Sequence, residues 1–65
     1  MIEMIHRYLV ERTFDSYAEV FAYVEALSGE ALDDYTKLAI QRNQELFING
    51  EQYQFFRVSR VAMAA

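Results

Sequence analysis

Few side chains in this sequence have the type and spacing that catalysis or metal binding requires. His6 is the one histidine, and it lies among the apolar positions of a strand-like segment. A histidine in that setting is usually a half-buried packing residue, and a catalytic or metal-binding role would need partners that the spacing does not place beside it. We therefore predict a packing role for His6 and assign it no chemistry.

Two further candidates are better explained as helix ends. Asp33 and Asp34 are adjacent carboxylates, but consecutive helix residues point about 100° apart and do not converge on one ion. Their negative charges suit the first turn of a helix, whose dipole they complement. Ser16 stands three residues before Glu19, which is the spacing of a capping box and favours a helix cap over a nucleophile.

The other signatures of enzymes and cofactor sites are absent from the sequence. It has no cysteine, no glycine-rich phosphate loop, no HExxH motif and no paired histidine ligands. We therefore predict no enzymatic activity, no cofactor and no metal site. Because disulfides are excluded too, stability must come from packing, to which five phenylalanines and five tyrosines contribute.

A hairpin at Asn49-Gly50 is the strongest structural signal in the chain, because this pair stands between two apolar-rich runs. A two-residue type I′ turn there sets three pairs, which are Ile48 with Glu51, Leu46 with Tyr53, and Gln44 with Phe55. The apolar side chains that this register gathers on one face are Leu46, Ile48, Tyr53 and Phe55. After Phe55 the alternation changes phase, which predicts a bulge near Phe55-Phe56 or a sheet that is partly covered on both faces.

The segment from Ile2 to Phe14 is predicted to form one strand, because apolar and polar residues alternate along it. The apolar positions of that alternation, which would face the core, are Ile2, Met4, Tyr8, Val10 and Phe14. The Ser16 capping box then begins an amphipathic helix that Gly29 ends. The predicted core-facing residues of this helix are Tyr17, Val20, Phe21, Val24 and Leu27.

The segment from Glu30 to Asn43 is compatible with two structures. Good helix formers and acidic residues in the first turn favour a second helix. Against this, Thr36, Leu38 and Ile40 alternate as they would in a strand. We predict the helix and keep the strand as the alternative.

These elements predict a single α+β domain over residues 1–65, in which helices pack on one face of a three-stranded antiparallel sheet. The predicted order is β-α-α-β-β, and β-α-β-β-β is the alternative. Ala62 to Ala65 would be a strand end or a tail. Phe21 is expected to be central to the core, so that Phe21→Ala would cost about 3–5 kcal/mol.

Charge is segregated along the chain. The net charge of -4 disfavours direct binding to nucleic-acid phosphates, which requires clustered Lys and Arg. Residues 15–34 contain six acidic residues and no basic one. The members of this set that would form an acidic surface are Glu19, Glu25, Glu30, Asp33 and Asp34. Such a surface predicts, as an alternative function, an acidic mimic of nucleic acid that blocks a nucleic-acid-binding enzyme.

Aromatic and arginine side chains outside the predicted core indicate a protein-binding surface on the sheet face or edge. The residues of this predicted surface are Phe47, Phe55, Phe56, Arg57 and Arg60, with one of the Phe55-Phe56 pair facing outward. We predict a small non-enzymatic inhibitor or regulator that covers a surface of a partner protein. In size and acidity the chain is similar to small inhibitor and adaptor proteins of phages and mobile elements, an analogy of type without a shared motif.

Self-association is a further alternative, because the chain lacks proline and its only lysine is Lys37, so the run from Phe55 to Met63 would be a poorly guarded sheet edge. A two-fold homodimer would form through strand edges or through the second sheet face at Phe47, Phe56 and Val58. The sequence begins without a signal-peptide pattern and has no apolar run of transmembrane length. We therefore predict a cytoplasmic protein without a membrane partner.

Overall fold

The computed structural model describes residues 1–58, which form an α+β arrangement of four strands and two helices. The elements in chain order are β1 (Ile2–His6), β2 (Leu9–Phe14), α1 (Tyr17–Ser28), α2 (Asp34–Gln41), β3 (Leu46–Ile48) and β4 (Glu51–Arg57). The strands form one antiparallel sheet in the order β2-β1-β4-β3. The predicted fold class is confirmed, but the predicted three-stranded sheet lacks one strand. The prediction for Ala62 to Ala65 lies outside the described residues.

The sheet has one strand more than predicted because the segment from Ile2 to Phe14 forms a hairpin and not one strand. Arg7 and Tyr8 form its turn, and both have left-handed backbone angles, with φ of 55° and 68°. Two consecutive left-handed residues are the geometry of a type I′ turn, which normally uses Asn and Gly. Bulky residues at these positions gave no turn signal, so the prediction ran the strand through them and wrongly placed Tyr8 and Val10 in the core.

The second hairpin has the predicted turn and register. Asn49 and Gly50 have φ of 53° and 80°, and the ladder pairs Ile48 with Glu51 and Leu46 with Tyr53. The third predicted pair, Gln44 with Phe55, lies beyond this ladder because β3 begins at Leu46.

Of the two alternatives for Phe55-Phe56, the bulge is absent, because the pairing of β4 with β1 runs without a break from Tyr53 to Arg57. The bulge lies instead in β2, where the register with β1 shifts between Met4 and Ile5 and leaves Glu11 as the extra residue. At a bulge, two residues of one strand face a single residue of its partner, which bends the strand and changes the direction of its side chains. The alternation after Phe55 is therefore regular, and Phe55 and Phe56 face opposite sides of the sheet.

α1 has the predicted caps, and α2 begins at a cap where the sequence predicted only first-turn charges. The Ser16 side chain accepts a hydrogen bond from the Glu19 backbone N–H, and Gly29 ends α1 in the left-handed conformation with φ of 77°. Asp33 caps α2 by accepting from the Thr36 backbone N–H. The preference for a helix between Glu30 and Asn43 is confirmed over residues 34–41.

The core lies between the two helices and one face of the sheet. The largest fully buried side chains are Phe55, Met4, Ile40, Val20 and Val24. Phe21 is only half-buried at the margin of this cluster. We therefore expect Phe21→Ala to cost less than 3–5 kcal/mol, because a side chain that is partly hydrated in the folded state loses less on truncation.

The pairing of β4 bears on the predicted open edge that begins at Phe55. β4 pairs with β1 from Tyr53 to Arg57 but with β3 only from Glu51 to Tyr53, so Phe55 to Arg57 have a strand partner on one side only. The open edges among the described residues are β2, which is bulged at Glu11, β3, which has three residues, and the part of β4 that extends past β3. Short and bulged edges are common ways of preventing strand pairing between molecules.

Candidate functional site

One face of the sheet has no helix packed on it within residues 1–58. Side chains on this outer sheet face include Ile5, which lies opposite Val10 on β2 and opposite Gln54 on β4. Phe56 lies opposite Glu3, so it is a diagonal neighbour of Ile5 at about 7–8 Å, within reach of an aromatic ring. We call Ile5, Val10 and Phe56 the outer apolar group.

The structure separates the residues of the predicted protein-binding surface. Phe56 is 36% exposed on the outer sheet face, whereas Phe55 is 1% exposed in the core, so Phe55 is wrong as a surface contact. Phe47 is 72% exposed but lies opposite Gln52, four residues along β4 from Phe56. At about 3.3 Å per strand residue, this places Phe47 about 13 Å from Phe56 along the sheet.

The arginines of the predicted surface do not join Phe56 either. Arg57 is exposed, but its pairing with Ile2 places it on the core-facing side at the end of β4. Arg60 lies outside the described residues. Of the five predicted contacts, Phe56 alone belongs to the outer apolar group.

A second exposed surface is the turn of the first hairpin, and sequence reasoning missed it. The hairpin tip consists of Arg7, Tyr8 and Leu9, all exposed, and Tyr8 is 99% exposed. Holding non-glycine residues in the left-handed region costs energy, and such strain is concentrated at functional sites. The sequence did contain one sign of this turn, because the apolar odd-numbered residues Ile5 and Leu9 break the alternation of apolar and polar residues on either side of it.

An open groove of about 430 Å³ connects the hairpin tip with the outer sheet face. Its lining includes Tyr8 from the tip, Ile5 from the outer apolar group, and the polar side chains of Gln52 and Gln54. The two exposed surfaces are therefore neighbours on one side of the molecule.

Beside the hairpin tip, His6 joins residues from three strands. Its Nε2 lies 2.7 Å from Glu51 Oε1, and its Nδ1 lies 2.9 Å from Glu11 Oε1. The Nδ1 contact has an ion-pair distance but lacks hydrogen-bond angles, so we treat it as an ion pair. The ring stacks on Tyr53 with centroids 4.4 Å apart and an angle of 9° between planes. His6 is half-buried, as predicted, but it has partners that the spacing did not place.

These contacts favour a charged imidazole. The hydrogen bond to Glu51 and then the contact with Glu11 raise the pKa of His6, while burial opposes them. The contacts with His6 and then Arg7 lower the pKa of Glu51. A protonated ring with a carboxylate at each nitrogen offers no lone pair for a proton or a metal ion. Within residues 1–58, no three His, Cys, Asp or Glu side chains are arranged so that they could hold a metal ion.

Most of the predicted acidic surface has structural contacts at the helix ends. Glu19 Oε1 accepts from the Asp15 backbone N–H, and Glu25 Oε2 accepts from the Leu32 backbone N–H at 3.0 Å. Asp33 Oδ1 accepts from the Thr36 backbone N–H at 2.8 Å, which lowers the pKa of Asp33. The other two members, Glu30 and Asp34, are exposed around the start of α2.

Comparison with protein-family models, with curated proteins and with solved structures finds no match for this chain. Neither α1 nor α2, the two helices of the described region, is long and apolar enough to cross a bilayer.

Proposed function

We propose that this protein is a non-enzymatic binding module that inhibits or regulates a partner protein by covering part of its surface. The observation that carries this proposal is the outer apolar group on a sheet face, whose member Ile5 lines one groove with Tyr8 of the hairpin tip. Contiguous exposed apolar residues are typical of interaction sites. A cytoplasmic location belongs to the same proposal.

The residue types at these two surfaces also support protein binding. Tyrosine and arginine are enriched among the residues that dominate binding energy, and both occur at the hairpin tip. A short, strained turn presents Tyr8 in a restricted backbone conformation, which lowers the entropy lost on binding. Phe56 would add a second contact on the outer sheet face, beyond the groove that Ile5 and Tyr8 line.

Affinity capture from the host lysate, with each bound protein identified, tests this function. We expect the double variant Tyr8→Ser/Phe56→Ser to lose the specific partner. The matched control is Tyr35→Ser, because Tyr35 is an 80% exposed tyrosine on α2, away from both surfaces. The control should retain the partner. Equal capture by the wild type and the double variant would refute the proposed surface.

The acidic mimic of nucleic acid is the second candidate, and the absence of basic residues between Asp15 and Asp34 favours it. Charge reversal at Glu25 or Asp33 would also remove contacts that hold the helix ends, so Glu30→Lys/Asp34→Lys is the cleaner test. Loss of the partner in this variant, with retention in Tyr8→Ser/Phe56→Ser, would select mimicry. The reverse pattern would select the outer sheet face and the hairpin tip.

A two-fold homodimer is the third candidate, and the uncovered outer sheet face favours it over pairing of strand edges. Glu3 lies opposite Phe56 on that face, so two such faces must pack with their carboxylates offset. Sedimentation equilibrium over a concentration series decides this candidate. A dimer mass that reverts to the 7.7 kDa chain in Phe56→Ser would support it, and a monomer mass at all concentrations would refute it.

A further inference from the structure

Three strands bring two carboxylates onto the imidazole at the end of β1. Glu51 on β4 faces His6 Nε2, and Glu11 on β2 faces Nδ1. A neutral imidazole has one N–H donor, so it can satisfy one carboxylate but turns a lone pair toward the other. Both contacts together therefore require the doubly protonated ring.

The two carboxylates differ in how firmly they are held. Glu51 Oε1 also lies 3.2 Å from Arg7 Nε, so it keeps a cationic partner when the imidazole is neutral. Glu11 is the extra residue of the β2 bulge, and its contact with Nδ1 lacks hydrogen-bond angles. When the ring loses a proton, the remaining proton is best placed on Nε2, against Glu51. The Glu11 contact is then the one that breaks.

We propose that the His6–Glu11 contact is a proton-controlled latch on the β1–β2 hairpin. With the latch closed, the imidazolium ties the bulge of β2 to β1 and β4 and steadies the hairpin tip. Loss of the ring proton releases Glu11, and the bulge and tip loosen from the sheet. The latch would regulate the tip that the proposed function uses, and in that respect it rests on that function. It is nevertheless a property of the chain alone, so its test succeeds or fails independently of any partner.

Glu51, Arg7 and Tyr53, which also lie around the ring, keep their charge state while the latch opens. The low pKa of Glu51 keeps it ionised, and Arg7 stays protonated. Burial raises the pKa of Tyr53, which keeps its stacked ring neutral. Between about pH 6 and about pH 9, the residue that changes charge is therefore His6.

The direction of the pH dependence follows from the raised pKa of His6. The contacts of the charged His6 ring stabilise the fold fully below the ordinary histidine pKa of 6.5. This contribution disappears as the pH rises through the higher pKa that His6 has in the folded chain. The latch is thus closed on the acid side and open on the alkaline side.

NMR of the full-length chain, labelled with ¹⁵N and titrated from about pH 5.5 to about pH 9, measures both parts of the proposal. The His6 ring signals should titrate with a midpoint above 6.5. Amide protection factors, which correct for base-catalysed exchange, should fall several-fold in β2 through the same midpoint. Protection in the β3–β4 hairpin should fall less than in β2.

Glu11→Gln removes the charge with little change of shape and is the decisive variant. It should lower the His6 midpoint and abolish the pH dependence of protection in β2. The matched control is Glu3→Gln, because Glu3 lies on β1 but faces the outer sheet face, opposite Phe56. The control should leave the midpoint and the protection unchanged. An unshifted midpoint in Glu11→Gln, or wild-type β2 protection that is constant through the His6 titration, would overturn the latch.

Discussion

Phe55 and Phe56 are adjacent residues of the same type on opposite faces of one strand, so they test the assignment of core and surface directly. Phe55 is 1% exposed, lies opposite Met4 and has its ring centroid 6.2 Å from that of Phe14. Truncating a fully buried phenylalanine to alanine costs about 3–5 kcal/mol, because the transfer free energy and a cavity term add. A chain of this size has a total stability of about 3–10 kcal/mol. Phe55→Ala is therefore expected to unfold much or all of the population.

The smaller change Phe55→Leu keeps the comparison measurable if the alanine variant does not fold. It removes part of the ring volume and should cost about 1–2 kcal/mol. Phe56→Ala should cost less than about 1 kcal/mol, because the ring is already partly hydrated in the folded chain. For a domain of this length, 1 kcal/mol corresponds to about 4–8 °C in Tm.

Far-UV circular dichroism during urea and thermal unfolding is the appropriate assay, since the chain has no tryptophan. The free energy of unfolding should decrease in the order wild type, Phe56→Ala, Phe55→Leu. A Phe56→Ala variant less stable than Phe55→Leu would mean that the two faces of β4 are assigned the wrong way round. The register of β4 against β1 would then be off by one residue.

Two further variants test local backbone assignments. Tyr8→Gly should stabilise the isolated chain by about 1 kcal/mol, because glycine relieves the strain at a positive φ, and a lower urea midpoint in this variant would contradict the turn. Asp33→Ala should lower the helicity and stability of the chain more than Asp34→Ala, because Asp33 alone of the pair caps α2. Since the pKa of Asp33 is lowered, the gap between these variants should be full above the ordinary aspartate pKa of 3.8 and close as the pH falls through the folded value. A gap of equal size at acid and neutral pH would show that the cap does not depend on the charge of Asp33.

The elements determined by the sequence alone are those with short-range physical causes. Asn49 and Gly50 tolerate left-handed angles, so their pairing predicts the second hairpin and its register. Ser16 and Gly29 define the ends of α1 because one supplies a capping oxygen and the other a left-handed stop. The same register places four apolar side chains on one face of the sheet, since side chains alternate along a strand. They are Leu46, Ile48, Tyr53 and Phe55.

Tertiary structure decided what depends on residues far apart in the chain. The turn at Arg7-Tyr8 has no favourable local composition, so pairing of β1 with both β2 and β4 must hold its left-handed angles. The environment of His6 depends on Glu51, which is 45 residues away, and on the bulge that turns Glu11 toward the ring. Neither contact leaves a periodic pattern in the sequence. The cause is physical, because the energy that stabilises the turn and the His6 cluster arises only once the sheet has assembled.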